Sequence, residues 1–298
     1  MPWSSTRLIS LSTSSRCRPV VKSAMETYIN KDTQLCMSLS ARPGNFETRF
    51  HNFLYRNLRL NFVYRAFTTR DLPAAIGGIR ALGIRGCAVS MPFKETCIAF
   101  LDELTPSAQG IKSVNTIVNT DGHLTAYNTD YLAVFSLLQS RKVSTNLTFA
   151  LLGSGGMAKA VACALRDAGF ARGAIIARSE VTGPGLAKQY GFDWQPQLAD
   201  EQPGLLINVT PIGMAGGEEA DQLAFPEATV RAAEFIFDVV ALPAATPLIR
   251  LASSLQKPTI SGAEVIVLQA VEQFALYTGV RPEPDLIARA AAFARQPD

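Results

Sequence analysis

The chain is poor in histidine and has no paired cysteines. His51 and His123 are the only histidines in 298 residues, so acid–base chemistry falls to other residue types. The five cysteines, Cys17, Cys36, Cys87, Cys97 and Cys163, are scattered, with no Cys-x-x-Cys pair. That spacing suggests neither a disulfide framework nor a zinc site, and it points to a reducing compartment. A cytoplasmic protein without a bound metal is therefore expected. No apolar run reaches the roughly 18 residues that a membrane-spanning helix needs, so no membrane partner is expected.

Acidic residues are missing from the first 24 positions, which carry Arg7, Arg16, Arg18, Lys22 and seven serines. Such a composition resembles a transit peptide. It equally suits translation from a start codon upstream of Met25, the reading adopted here, with residues 1–24 as an extension without fixed structure. The remaining body holds 24 basic against 25 acidic residues, so it is near neutral and offers no basic surface to nucleic acid. Hydrophobic residues make up 48% of the chain, enough for a sizeable core, and the length suits two domains.

Strand-like runs alternate with helical ones, the pattern of an α/β chain with parallel strands. Residues 34–38, 61–67 and 85–90 read as strands, and 72–82 has apolar residues at helical spacing. Residues 113–118 and 124–127, joined by Asp121-Gly122, read as a hairpin, and 130–138 as a helix linking two units. The second unit shows strands at 148–152, 174–177, 205–209, 235–240 and 259–260. It also shows helices at 157–168, 265–277 and 284–295.

Gly153-Ser154-Gly155-Gly156-Met157-Ala158 follows one of these strands and opens a helix. In that context the glycines permit a tight turn and close approach of backbone to a pyrophosphate, and Ala158 lets helix and strand pack closely. The free N–H groups of the helix start favour the phosphate charge. The alternative is a tight strand-to-helix turn with no ligand. The next strand ends Ala177-Arg178-Ser179, with no acidic residue at the place where one would meet the ribose of NAD. Arg178 suits the extra phosphate of NADP, or is a solvated surface charge with Glu180 nearby.

Lys94 follows Met91-Pro92-Phe93 just past a strand, where side chains enter the cleft of an α/β sheet. Shielding a lysine from water favours its neutral, proton-accepting form. Asp130, in Asn128-Thr129-Asp130, would orient it. Taken alone, the two are equally a surface lysine and a helix-capping aspartate.

Ser38-Leu39-Ser40, Ser90-Met91-Pro92-Phe93-Lys94, Ser113-Val114-Asn115-Thr116, Asn128-Thr129-Asp130, Gly153-Ser154-Gly155-Gly156 and Gln269 stand in the order found in shikimate dehydrogenases. Over about residues 34–290 the chain resembles that family, most of all its shikimate dehydrogenase-like branch. The resemblance implies two domains: an N-terminal α/β substrate domain (25–129, completed by 262–298) and an NADP-binding Rossmann domain (130–261). It implies Lys94 and Asp130 as the catalytic pair, Ser38 and Ser40 at a substrate carboxylate, Ser90 where threonine is usual, and Asn115 and Gln269 at ring hydroxyls. It places Arg178 and Ser179 at the 2′-phosphate, and Thr210 and Gly213 on the nicotinamide side. The implied activity is NADP-dependent interconversion of shikimate and 3-dehydroshikimate, by a monomer or homodimer acting on a small molecule.

Several residues depart from the family pattern. Ala41 replaces a proline, and residues 42–50 separate the serines from His51-Asn52. Ala241 stands where a substrate-binding tyrosine is usual, Ser261-Gly262 replaces Asp-Gly, and Ala177 and Thr182 replace polar and basic residues of the phosphate grip. The altered shell leaves open a quinate or aminoshikimate dehydrogenase, or a non-catalytic NADP- or metabolite-binding protein. His51 is expected as a helix cap or surface residue, Cys87 and Cys97 as buried structural thiols, and Val265, Val267, Val271 and Phe274 as helix core.

Overall fold

Two six-stranded sheets organise the chain. The computed structural model describes residues 29–199 and 202–296, so the expected extension lies outside the described residues. The first sheet contains β1 (Gln34–Leu39), β2 (Phe62–Phe67), β3 (Gly86–Val89), β4 (Glu103–Leu104), β5 (Thr116–Thr120) and β6 (His123–Tyr127), in the order β2-β1-β3-β5-β6-β4. Its helices are α1 (Phe46–Leu58), α2 (Leu72–Ala81), α3 (Phe93–Thr96) and α4 (Pro106–Ile111), and α5 (Thr129–Ser140) leads out of it.

Parallel pairing, as expected of the α/β pattern, holds for β1 with β2 and β3. β5 runs antiparallel to β3, and it pairs antiparallel with β6 as the hairpin expected through Asp121-Gly122. The cause is local: Asp121 (φ 52°) and Gly122 (φ 90°) both take left-handed backbone, as a two-residue hairpin turn requires. The segment 42–50, between the serines and His51-Asn52, is assigned no element from the sequence. From Phe46 it is helical, and α1 buries Phe50, His51, Leu54 and Tyr55 on one face.

The second sheet contains β7 (Phe149–Leu152), β8 (Gly173–Ile176), β9 (Asp193–Gln195), β10 (Leu205–Asn208), β11 (Phe235–Asp238) and β12 (Thr259–Ser261). It is parallel throughout, in the order β12-β11-β10-β7-β8-β9. The chain leaves β7 for β8 on one side and later returns to β10 on the other. The loops after β7 and β10 therefore diverge and open a crevice at the strands' carboxyl ends, the ligand position of open α/β sheets. The connecting helices are α6 (Gly156–Ala168), α7 (Thr182–Tyr190), α8 (Glu227–Ala232) and α9 (Pro247–Ser254). Small residues (Ala158, Ala160, Ala162 and Ala164) let α6 be buried on more than one side, and the helix ends at Gly169 with left-handed backbone (φ 98°).

The chain then returns to the first unit through α10 (Gly262–Thr278) and α11 (Pro284–Ala294). At Gly262 a β-carbon would lie 2.2 Å from the Val239 carbonyl oxygen, so the crossing requires glycine. Ser261 caps α10, its backbone N–H (2.9 Å) and hydroxyl (2.8 Å) both bonded to Glu264. Helix α10 belongs to two cores. Val265 packs with the α5, α6 and β7 residues, whereas Ala270, Val271, Phe274 and Tyr277 pack with Phe50, Leu54, Tyr55 and Tyr64. Cys87 and Cys97 are both fully buried. Among the described residues no helix is long and apolar enough to cross a membrane.

His51 is not a cap or a surface residue but is 0% exposed. Its ring stacks on Tyr64 at 4.4 Å. Burial outweighs the neighbouring Gln273 amide and holds the imidazole pKa down to about 3. The unfolded chain therefore binds a proton below about pH 6.5 that the folded chain refuses, and stability is lost as pH falls from there toward about 3. Lowering the pH from about 7 to about 5 should cost about 2 kcal/mol through this residue. Urea denaturation of the wild type and His51→Phe at the two pH values measures the cost as the difference between their pH slopes, and equal slopes would show that the imidazole is not held neutral.

Candidate active site

Lys94 lies in the single turn of α3 that follows β3, and Asp130 lies in the first turn of α5. The Lys94 Nζ donates to Asp130 Oδ2 at 2.6 Å. The side chains are 21% and 7% exposed, so the pair is shielded without being sealed. A carboxylate in the first turn of a helix is favoured by the helix dipole, which holds Asp130 in place.

Residues 113–116 tie the two elements together. The Val114 N–H donates to the Lys94 carbonyl at 2.8 Å, and Asn128 Nδ2 donates to the Ser113 carbonyl at 2.9 Å. Asn115 Oδ1 accepts from the Thr129 N–H at 2.7 Å, at the start of α5. From the far side, Lys159 of α6 donates to Glu95 at 2.6 Å, so the turn that carries Lys94 is also tied to the second sheet's first helix.

Ser38 and Ser40 are both 8% exposed at the end of β1, while Ser90 is exposed beyond β3. Asn115 is 1% exposed, and its Nδ2 has no hydrogen-bond partner among the described residues. An unpaired buried donor is costly, and a ligand oxygen would relieve it. Gln269 is half-buried on α10. One turn on, Gln273 is fully buried and donates to Thr116 Oγ1 at 3.2 Å and toward the Asn115 carbonyl at 3.4 Å. Sequence reading missed Gln273, as well as Glu47, whose Oε2 accepts from the Tyr64 hydroxyl at 3.0 Å. The repeat Phe46, Phe50, Leu54 was the signal for the helix that carries Glu47.

The crevice of the second sheet is a groove of about 860 Å³, lined by Gly153, Ser154, Arg178, Ser179 and Thr210 among others. Gly153 takes φ 120°, and a β-carbon there would lie 2.8 Å from Val209, so only glycine makes this turn. Gly155 precedes α6 and Gly156 opens it. Met157 packs against the core, and Ala158 is fully buried. Arg178 is exposed at the groove. Ser179 Oγ accepts from the Thr182 N–H at 3.1 Å, which starts α7, and Ser154 shares a hydrogen bond with Thr182 at 2.7 Å.

A buried network braces the groove's other wall. Thr210 Oγ1 donates to Asn208 Oδ1 at 2.6 Å, Asn208 Nδ2 donates to Asp238 Oδ1 at 3.0 Å, and Thr246 Oγ1 donates to Asp238 Oδ2 at 2.6 Å. Gly213 turns the loop with φ 86° and donates to the Glu219 carbonyl at 2.9 Å. Desolvation raises the Asp238 carboxyl above the usual range against these hydrogen bonds. No group of three or more His, Cys, Asp or Glu side chains able to hold a metal occurs among the described residues.

A two-unit α/β chain with a glycine-turn crevice on one sheet and a Lys–Asp pair on the other is the architecture of a nucleotide-dependent dehydrogenase. The family model for the shikimate dehydrogenase substrate binding domain matches residues 47–117. A shikimate dehydrogenase-like protein of Haemophilus influenzae is 60% identical over 267 residues, which cover 90% of this chain and 98% of that protein. The solved structure of a shikimate 5-dehydrogenase-like protein superposes with a TM-score of 0.88 at 59% identity, covering 90% of this chain and 100% of the other. That of shikimate 5-dehydrogenase from Thermus thermophilus, in complex with NADP(H) and shikimate, gives 0.79 at 28% identity, covering 88% and 99%. The chain belongs to the shikimate dehydrogenase family.

Replacing Asn115 by Ala should strip the buried Thr129 N–H of its acceptor and destabilise the protein by about 1–3 kcal/mol. Denaturant midpoints measure the loss, and an unchanged midpoint would remove Asn115 as the brace of α5.

Proposed function

We propose that the protein is an NADP-dependent dehydrogenase that interconverts a ring alcohol and its ketone, in the manner of shikimate and 3-dehydroshikimate. The observation that carries this reading is the shielded 2.6 Å contact of Lys94 with Asp130, in a chain that also holds an unpaired buried donor at Asn115 and the glycine-turn groove. Residues 25–129 with 262–298 serve as the substrate domain, and 130–261 as the cofactor domain.

The residues present fit NADP. The turn at Gly153–Gly156, open space at Gly155 and the start of α6 suit a pyrophosphate, and Arg178 with the Ser179 hydroxyl suits the 2′-phosphate. Ser179 retains its own proton as a donor, because its oxygen is the acceptor toward Thr182. When bound, the nicotinamide supplies the hydride acceptor or donor. Thr210 and the loop around Gly213, held by Asn208, shape the wall beside it.

Within the substrate domain, Lys94 takes the proton of the carbinol hydroxyl in oxidation and returns it to the carbonyl oxygen in reduction. Asp130 orients the amine and balances its charge when it carries the proton. Asn115 Nδ2 donates to a ring hydroxyl, with its Oδ1 committed to Thr129. Ser38, Ser40, Ser90 and Gln269 complete the ring shell.

Lys94→Ala should lower kcat by about 10²- to 10⁴-fold and leave KM nearly unchanged, because the proton moves only in the transition state. NADP reduction followed at saturating substrate tests this, and a raised KM with normal kcat would reject the assignment. Arg178→Gln should raise the KM for NADP by about 10- to 100-fold and that for NAD little. Equal effects on both cofactors would mean that Arg178 does not grip the 2′-phosphate.

A further inference from the structure

The Asn115 amide, which the proposed reaction uses as a donor, is itself held by a second amide on another helix. Gln273 is fully buried on α10, which packs against β5. Its Nε2 donates to Thr116 Oγ1 at 3.2 Å and toward the Asn115 main-chain carbonyl at 3.4 Å. A main-chain carbonyl can only accept, so the Gln273 amide must turn its nitrogen to this segment. Thr116 Oγ1 accepts from Gln273 and sends its own proton to Asn115 Oδ1 at 3.0 Å. The Thr129 N–H, at 2.7 Å, and the Thr129 hydroxyl, at 3.2 Å, converge on the same oxygen. Three donors on Oδ1 leave Nδ2 as the part of the amide still to be paired. Hydrogen bonds in series polarise one another, so a loaded amide oxygen makes its nitrogen a stronger donor. The Thr129 N–H sets which way the Asn115 amide points. Gln273 adds a hold on the main chain behind it and directs the Thr116 proton. Without Gln273 the Thr116 hydroxyl is free to turn to Thr129 Oγ1, 3.3 Å away, and one donor on Oδ1 is lost.

We propose that Gln273 is a positioning residue for the ring: through Thr116 and the Asn115 main chain it holds and strengthens the Asn115 Nδ2 donor that meets a ring hydroxyl. This rests on the dehydrogenase reading above and deepens it with a residue whose amide nitrogen is committed to the protein, not to the ring. The contact it supports is made alike before and during the hydride step, so its loss falls on KM and not on kcat.

The test is a double-mutant cycle on the full chain saturated with NADP, with shikimate as the probe. Gln273→Met, close in shape to glutamine, and Gln273→Leu are each made alone and together with Asn115→Asp, which keeps an acceptor for Thr129 and removes the donor. Titration calorimetry gives Kd, steady-state turnover gives KM and kcat, and thermal melts verify folding. Either Gln273 variant should raise Kd and KM for shikimate about three- to tenfold, with kcat within about twofold and the KM for NADP unchanged. In the Asn115→Asp background the same replacement should change Kd by less than about twofold, because the donor it supports is gone. An unchanged Kd in the Asn115 background would overturn the proposal, as would an equal rise in both backgrounds, a fall in kcat at unchanged KM, or failure of shikimate to bind the wild type. The calorimetric arm does not depend on turnover. The dehydrogenase reading fails on a different result: NADP-linked turnover that survives Lys94→Ala.

Discussion

The Lys94–Asp130 ion pair is the contact on which the arrangement of the site depends. A lysine at the mouth of a sheet is ordinarily solvated, and a carboxylate at a helix start ordinarily caps it. Here the two lie 2.6 Å apart with little exposure, and either partner alone would leave a shielded charge uncompensated. Such a pair persists only if both backbones are held, and residues 113–116 do this by bonding to Lys94's carbonyl, to Asn128 and to the Thr129 amide. One short segment thus sets the geometry of Lys94, Asp130 and the buried Asn115 donor together.

The same segment sits where the two units meet. Helix α10 contributes Val265 to one core and Phe274 to the other, while Lys159 reaches from α6 to Glu95 beside Lys94. The groove on the second sheet is therefore positioned relative to the Lys–Asp pair by packing on one side and by a charge contact on the other. The packing contribution dominates, because a charge contact with a partner 58% exposed is weakened by water and salt.

The fold class was legible where one local cause decides the structure. A glycine turn between a buried strand and a small-residue helix reads the same in any context, and so does Asp-Gly between two alternating runs. The helix at 46–58 was not read because Pro43, Gly44 and Asn45 mark a loop just before it, and its apolar repeat starts only at Phe46. His51 was misjudged for the same reason, since its burial follows from a helix that was not assigned from the sequence. The Lys–Asp pair was legible only through the family's motif order. Glu47 carries no signal of its own, because its meaning comes from Tyr64 on another strand, and long-range register cannot be read from spacing. Gln273 was passed over beside Gln269 because one helical turn separates them, and only the packing of α10 against β5 tells which is buried.

The central claim is that Lys94, held by Asp130, exchanges the proton of a ring hydroxyl next to the nicotinamide. A crystal structure of the protein with NADP and a bound ring alcohol tests this most directly. The account predicts the reacting hydroxyl within hydrogen-bond distance of Lys94 Nζ, its carbon facing the nicotinamide, and a second hydroxyl on Asn115 Nδ2. A ring bound with Lys94 and Asp130 still paired only to each other, and its hydroxyls turned to other groups, would contradict it.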